Sequence, residues 1–130
     1  MKVNGTFEVN MDELDPAYNG AEGVTLKRMA IGKTFEGALA GSSQGEMLSV
    51  ITPVEDSAAY VAVEQVSGTL DGKQGSFVLQ HLGTLNQDEL RLILEVVPDS
   101  ATGELSGLRG KMNLDIQDGQ HVYDFDYDFV

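Results

Sequence analysis

The sequence predicts an all-β protein, a single closed antiparallel β-barrel of about eight strands over residues 1–130. Three observations predict it. Segments of alternating apolar and polar residues recur along the chain, with hardly any helix signal. Gly is frequent at 15 residues and Pro is scarce at 3, a balance that suits many strands joined by tight turns. Nearly every strand segment has one bulky face, which closure explains, because about eight strands enclose an interior just wide enough for side chains or one small ligand. A β-sandwich is the alternative.

Length and composition bound the function. A chain of 130 residues with 42% hydrophobic content makes one domain with a real core. The net charge is -13, from 21 acidic and 8 basic residues, so the surface repels phosphate backbones and anionic membranes. Neither nucleic acid nor membrane is an expected partner. The absence of cysteine excludes disulfides, thiolate metal sites and cysteine nucleophiles. His81 and His121 are the only histidines, too few for a histidine-rich metal centre. No Ser-His-Asp order, HExxH or dinucleotide fingerprint occurs, so no metal and no cofactor is expected. Met1-Lys2 leads directly into a strand-like segment without an apolar leader, and no apolar run reaches the length of a membrane span. A cytoplasmic location is the resulting expectation.

Taken in order, Val3 to Val9 alternates as a half-buried strand. Asn10 to Gly23 reads as a polar loop, with Asp15-Pro16 and Asn19-Gly20 as turn signals. Asp12 to Asp15 lacks the ordered ligand spacing of a calcium loop. Val24 to Gly37 is a long strand with two possible inward faces. One carries Lys27, Met29, Ile31, Lys33 and Phe35, and would bury Lys33. The other carries Arg28, Ala30, Gly32 and Thr34. Gly41 to Gly45 is no phosphate loop, since neither a lysine nor a helix follows; it reads as a weak strand start leading into Glu46 to Thr52. Pro53 to Ser57 is a turn.

The central feature is a hairpin. Its arms run from Tyr60 to Leu70 and from Gly75 to Leu85, with an Asp71-Gly72 step between them. If Asp71 faces Gln74, Glu64 lies opposite His81 with Cβ atoms about 5 Å apart. A two-residue loop at Gly72-Lys73 and a four-residue loop at Asp71 to Gln74 share this register. A three- or five-residue loop would separate the pair. The inward face then holds Tyr60, Ala62, Glu64, Val66, Leu70, Phe77, Leu79, His81 and Leu85. Glu64 and His81 read as a satisfied structural pair, as a solvent-exposed cross-strand pair on the outside, or as a ligand-contacting or catalytic pair.

After a turn at Asn86 to Glu89, Leu90 to Val97 taken alone also suits a helix, but Pro98 and the Val-Val step favour a strand with Leu90, Leu92, Leu94 and Val96 inward. Asp99 to Gly103 turns the chain, and Leu105 to Ile116 is a strand with Leu108, Met112, Leu114 and Ile116 on one face. In the last strand Tyr123, Phe125, Tyr127 and Phe129 alternate with Asp124, Asp126 and Asp128. These three aspartates stand too far apart for one metal ion and read as a solvated row that opposes edge aggregation.

Several segments together resemble the bacterial domain of unknown function 3224 family. They are Gly68-Thr69-Leu70-Asp71-Gly72, Gly75 to His81, Val96-Val97-Pro98, Thr102 to Gly110 and the Tyr-x-Phe-x-Tyr-x-Phe ending. The likeness covers essentially the whole chain. It implies an allene oxide cyclase-like, calycin-like barrel and no established activity. The chain departs from the family pattern at Leu94, where an aromatic is usual, and at Ala101, where Gly is usual.

Three function classes follow. The first is a barrel that binds a small, largely apolar, neutral or cationic molecule. Its candidate contacts are Glu64, His81, Tyr60, Tyr127 and Lys33, within a lining of Val66, Leu79, Leu92, Leu108, Met112, Phe125 and Tyr127. The second is a filled barrel acting through its surface. The third is an isomerase- or cyclase-like enzyme with Glu64 or His81 as general acid-base, a reading by fold analogy alone. Val61, Val63, Val78 and Leu82 fall on the outer face of the hairpin, and such an exposed apolar patch predicts a homo-oligomer.

Overall fold

A computed structural model describes all 130 residues. It contains nine strands and no helix: β1 Lys2–Leu14, β2 Thr25–Gly37, β3 Leu39–Ile51, β4 Ser57–Leu70, β5 Lys73–Asn86, β6 Glu89–Val96, β7 Thr102–Gly103, β8 Leu108–Gln117 and β9 Gln120–Phe129. Eight of them form a closed antiparallel barrel in the order β4-β3-β2-β1-β9-β8-β6-β5, with β5 returning to β4. The two-residue β7 lies on β5 beside Gly75 and Ser76.

Closure gives every strand an inside and an outside, so the period-two alternation becomes a core. Phe7, Phe35, Leu39, Val66, Leu70, Phe77, Leu79, Leu94, Val96, Leu108, Met112, Tyr123, Phe125 and Tyr127 pack into one buried cluster. Leu105, in the turn after β7, is fully buried and completes that cluster. The residues expected to line a ligand space are mostly members of this buried cluster. Leu90 and Ile116, expected to face inward, are 72% and 63% exposed. They lie near the strand ends beside the 87–88 and 118–119 turns, where the interior side is no longer covered.

Strand lengths also differ from the sequence expectation. β1 continues through Asn10 to Leu14 because its backbone pairs with Arg28 to Gly32 of β2, although its side chains there are mostly polar. β3 begins at Leu39, so Gly41 to Gly45 is regular strand bonded on both sides. β8 begins only at Leu108, because the chain turns through Glu104 to Gly107. Among the β2 faces, Ile31, Lys33 and Phe35 point inward, and Lys33 is buried.

The central hairpin is displaced from the expected register. Leu70 pairs with Lys73, leaving a two-residue loop of Asp71 and Gly72 with φ of 50° and 83°. Positive φ at both loop positions is what a type I′ hairpin turn requires, and it matches the twist of the strands. The pairing slips by two residues relative to expectation: Glu64 lies opposite Leu79, and His81 lies opposite Ala62. A slip of two preserves the faces, since only an odd slip turns side chains over. Glu64 and His81 therefore remain neighbours on the inner wall, on a diagonal.

Candidate functional site

The site is assembled from side chains on four adjacent strands. The β2–β3 ladder sets Lys33 opposite Ser43, and the β3–β4 ladder sets Gly45 opposite Glu64. Glycine at position 45 leaves the inner wall beside Glu64 free of a side chain. His81 enters from β5 on the far side. All four polar residues point inward, and Glu64 is completely buried.

Glu64 is the hub. Its Oε1 accepts from Lys33 Nζ at 3.2 Å and from His81 Nε2 at 2.8 Å, while Oε2 accepts from the Ser43 hydroxyl at 2.5 Å. Burial alone would raise the Glu64 carboxyl. The His81 hydrogen bond, the Lys33 ammonium and the Ser43 hydrogen bond outweigh it and bring the carboxyl down to about 2. Glu64 is thus an anion balanced by a buried cation. The Lys33 ammonium also lies 5.1 Å from the Phe7 ring centroid and 5.9 Å from that of Phe35, within reach of both aromatic faces.

A carboxylate only accepts, so the hydrogen between it and His81 sits on Nε2. The other ring nitrogen, Nδ1, meets the Tyr60 hydroxyl at 3.4 Å. With a neutral imidazole, Nδ1 is an acceptor and Tyr60 donates to it. Burial, and then the Glu64 charge, raise the Tyr60 phenol above its usual range, so Tyr60 is a neutral hydroxyl at physiological pH. Its ring can reach across β5 because the residue opposite is Gly83. A methyl group there would fall 2.3 Å from Tyr60 Cε1.

Tyr60 is half-buried and lines a cleft of about 250 Å³ together with Met47, Ile51, Ala58, Leu85 and Leu90. The Glu64–His81–Tyr60 chain therefore runs from the fully buried interior to an apolar opening. Met29 lies beside Met47 on the same inner wall, and these unbranched thioethers adapt readily to a variable neighbour.

Of the five residues singled out from the sequence, Lys33, Tyr60, Glu64 and His81 come together. Tyr127 does not join them. Its hydroxyl donates to Asp71 Oδ2 at the hairpin turn, and burial together with that contact pushes the phenol up to about 12. Tyr127 is a latch that ties β9 to the β4–β5 turn. Tyr123 plays the matching part at the β2–β3 turn, where it accepts from Leu39 N at 2.8 Å and its hydroxyl is 3.0 Å from the Leu39 carbonyl. Ser43 was missed in the sequence, hidden in a glycine- and serine-rich run. Its odd-numbered parity with Leu39 and Met47 is the signal that places it inward.

A family model described as protein of unknown function (DUF3224) matches residues 3–127. The fold is shared with the crystal structure of a protein of unknown function from that family, from Shewanella oneidensis MR-1. The two are 52% identical, the match covers 100% of this chain and 98% of that one, and the TM-score is 0.97. No curated protein matches the sequence. The residues matched by the model and the near-complete structural overlap make this chain a member of the DUF3224 family.

Proposed function

We propose that the cleft beside Tyr60 binds a small, largely apolar molecule that carries one hydrogen-bond donor and no negative charge. The observation that supports this most is the Glu64–His81–Tyr60 chain, which connects a buried carboxylate to a neutral hydroxyl at an apolar opening. Tyr60 gives its own hydrogen to His81, so its oxygen is left to accept one from the ligand. An anionic ligand would meet that same oxygen and the Glu64 charge behind it, without a free cation, because Lys33 is already paired. Glu64 itself touches no ligand in this reading. It orients His81, and His81 orients Tyr60.

The test uses three probes that fit such a cleft: 1-naphthol, naphthalene and 1-naphthoate. Calorimetry or fluorescence is expected to show naphthol binding most tightly, by about tenfold over naphthalene for one good hydrogen bond. Naphthoate should bind most weakly. Tyr60→Phe should bring naphthol down to the level of naphthalene. Equal binding of all three probes, or an unchanged preference in Tyr60→Phe, would overturn the reading.

The same chain also favours a second reading, in which Tyr60 passes a proton between His81 and a bound substrate, as a nucleophile-and-base pair oriented by a third group does. In that case the group meeting the substrate is Tyr60, rather than Glu64 or His81. Turnover in an isomerisation screen that disappears in Tyr60→Phe, with binding retained, would support it.

A further inference from the structure

The outer wall of the barrel is strongly asymmetric. On β9 and β8 it carries Asp124, Asp126, Asp128, Arg109 and Lys111. On β3, β4, β5 and β6 it carries an apolar belt. The ladders set Leu48 opposite Val61, Val61 opposite Leu82 and Leu82 opposite Ile93, so four apolar side chains stand in one row across four strands. At about 4.8 Å per strand the row is roughly 14 Å long. Leu48 is 54%, Val61 47% and Leu82 38% exposed. Val78, expected to join this patch, is only half-exposed. Ser100 binds its N–H and Val97 binds its carbonyl, so the 97–100 segment runs along the strand edge beside it.

The charges around the belt identify what covers it. Two residues to one side of Ile93 along β6 lies Glu95, loosely paired with the exposed Lys111 at 3.9 Å, and two residues to the other side lies Arg91. A two-fold axis parallel to the belt lays each belt residue on its own counterpart and exchanges the two flanks. Glu95 of one copy then falls on Arg91 of the other, twice per pair. An axis parallel to the strands through the middle of the belt would instead lay β6 over β3 and set Glu95 on Glu46, like charge on like charge. At the far end Arg28 is neutralised by Glu46 at 2.6 Å. This wall is therefore close to neutral on a chain of net charge -13, and a second copy can approach here without meeting like charge.

We infer that the protein forms a two-fold dimer through the outer wall of β3 to β6, with the Leu48–Val61–Leu82–Ile93 row at its centre and Arg91–Glu95 pairs on its flank. Isologous contact through one self-complementary patch is the commonest form of association, and an apolar centre with a polar rim is its usual anatomy.

Sedimentation velocity and light scattering at tens of micromolar test it. The parent chain is expected to be a dimer. Val61→Lys at the centre should give a folded monomer, with a circular dichroism spectrum that matches the parent. Arg91→Glu and Glu95→Arg should each weaken the dimer by about tenfold or more. Combining them should restore most of the loss, since the pair is re-formed with its signs exchanged. A parent chain that stays monomeric overturns the proposal. So does a dimer that survives Val61→Lys, and so does a double variant no better than the single ones, which would rule out this two-fold axis.

Discussion

Glu64 is held by three donors, and the arrangement has a cost that appears when one partner is removed. Glu64→Gln keeps the shape but leaves the Lys33 ammonium buried beside two aromatic rings without its counter-charge. Breaking a buried pair in this way costs about 3–5 kcal/mol, whereas replacing both partners is far cheaper. Urea unfolding at neutral pH should therefore show Glu64→Gln strongly destabilised and the Glu64→Gln, Lys33→Met double variant largely recovered. If the single variant is as stable as the parent, the hub carries no stability. The carboxyl also sets an acid limb. Its pKa is about 2 in the folded chain against an ordinary 4.5, so the unfolded chain binds the extra proton between those values. The stabilisation is complete above about pH 4.5 and is lost as pH falls toward 2. In the double variant this part of the acid limb should vanish, and an unchanged pH profile would contradict the assignment. Gly83 makes a separate point, since Gly83→Ala should displace the Tyr60 ring. The expected result is loss of the naphthol preference with little change in the far-ultraviolet spectrum.

The β4–β5 hairpin shows how far the sequence could be followed. Its Asp-Gly step announced the turn, and side-chain bulk announced the inward face, because both are local properties. The register was not local. It depended on Asp71 itself adopting positive φ and serving as the first loop residue, a choice reinforced by Tyr127 from a strand 56 residues away. That contact is also why Tyr127, an inward aromatic like any other by pattern, belongs to a latch and not to the site. Lys33 stayed ambiguous because both faces of β2 carry basic residues, and only closure of the barrel put Ile31 and Phe35 inside with it. The latch predicts an alkaline limb. The Tyr127 phenol lies at about 12 against an ordinary 10. The stability it contributes is complete below about pH 10 and is lost as pH rises toward 12. Tyr127→Phe should flatten that decline and cost about 1–2 kcal/mol at neutral pH; a Phe variant with the parent's alkaline decline would remove the latch from the account. Among the ladders that close the barrel, β6–β8 is the shortest, paired only at Leu94–Met112 and Glu95–Lys111, while β2–β3 runs unbroken from Thr25–Ile51 to Phe35–Gly41. Hydrogen exchange should accordingly be fastest in Glu89 to Ile93 and slowest in the centre of β2 and β3. Uniform protection around the barrel would show that closure does not depend on that seam.

For the molecule as a whole, the dominant electrostatic fact is the excess of 13 negative charges on a single small barrel. The aspartate row of β9 is less bare than the sequence suggests. Its ladder neighbours set Arg109 beside Asp128 and both Lys111 and Lys2 beside Asp126. These contacts are loose and exposed, however: Arg109 lies 3.7 Å from Asp128 with both side chains more than half exposed. Pairs of that kind contribute between nothing and about 1 kcal/mol. Self-repulsion of the remaining acidic groups acts at longer range and opposes the compact state. The two effects respond oppositely to salt, since salt weakens surface pairs and also screens the repulsion. Repulsion should win here, because the unpaired carboxylates outnumber the paired ones. Raising ionic strength from about 0.01 M to about 0.15 M shortens the screening length from roughly 30 Å to roughly 8 Å, from comparable to the barrel to well below it. The melting temperature at neutral pH is therefore expected to rise with sodium chloride over this range, and most of the rise should come before physiological strength. Potassium chloride should act equally, because screening does not distinguish the two cations. A melting temperature that falls with salt would mean that the cross-strand pairs around β9 dominate, and would assign them a stabilising role that their exposure does not suggest.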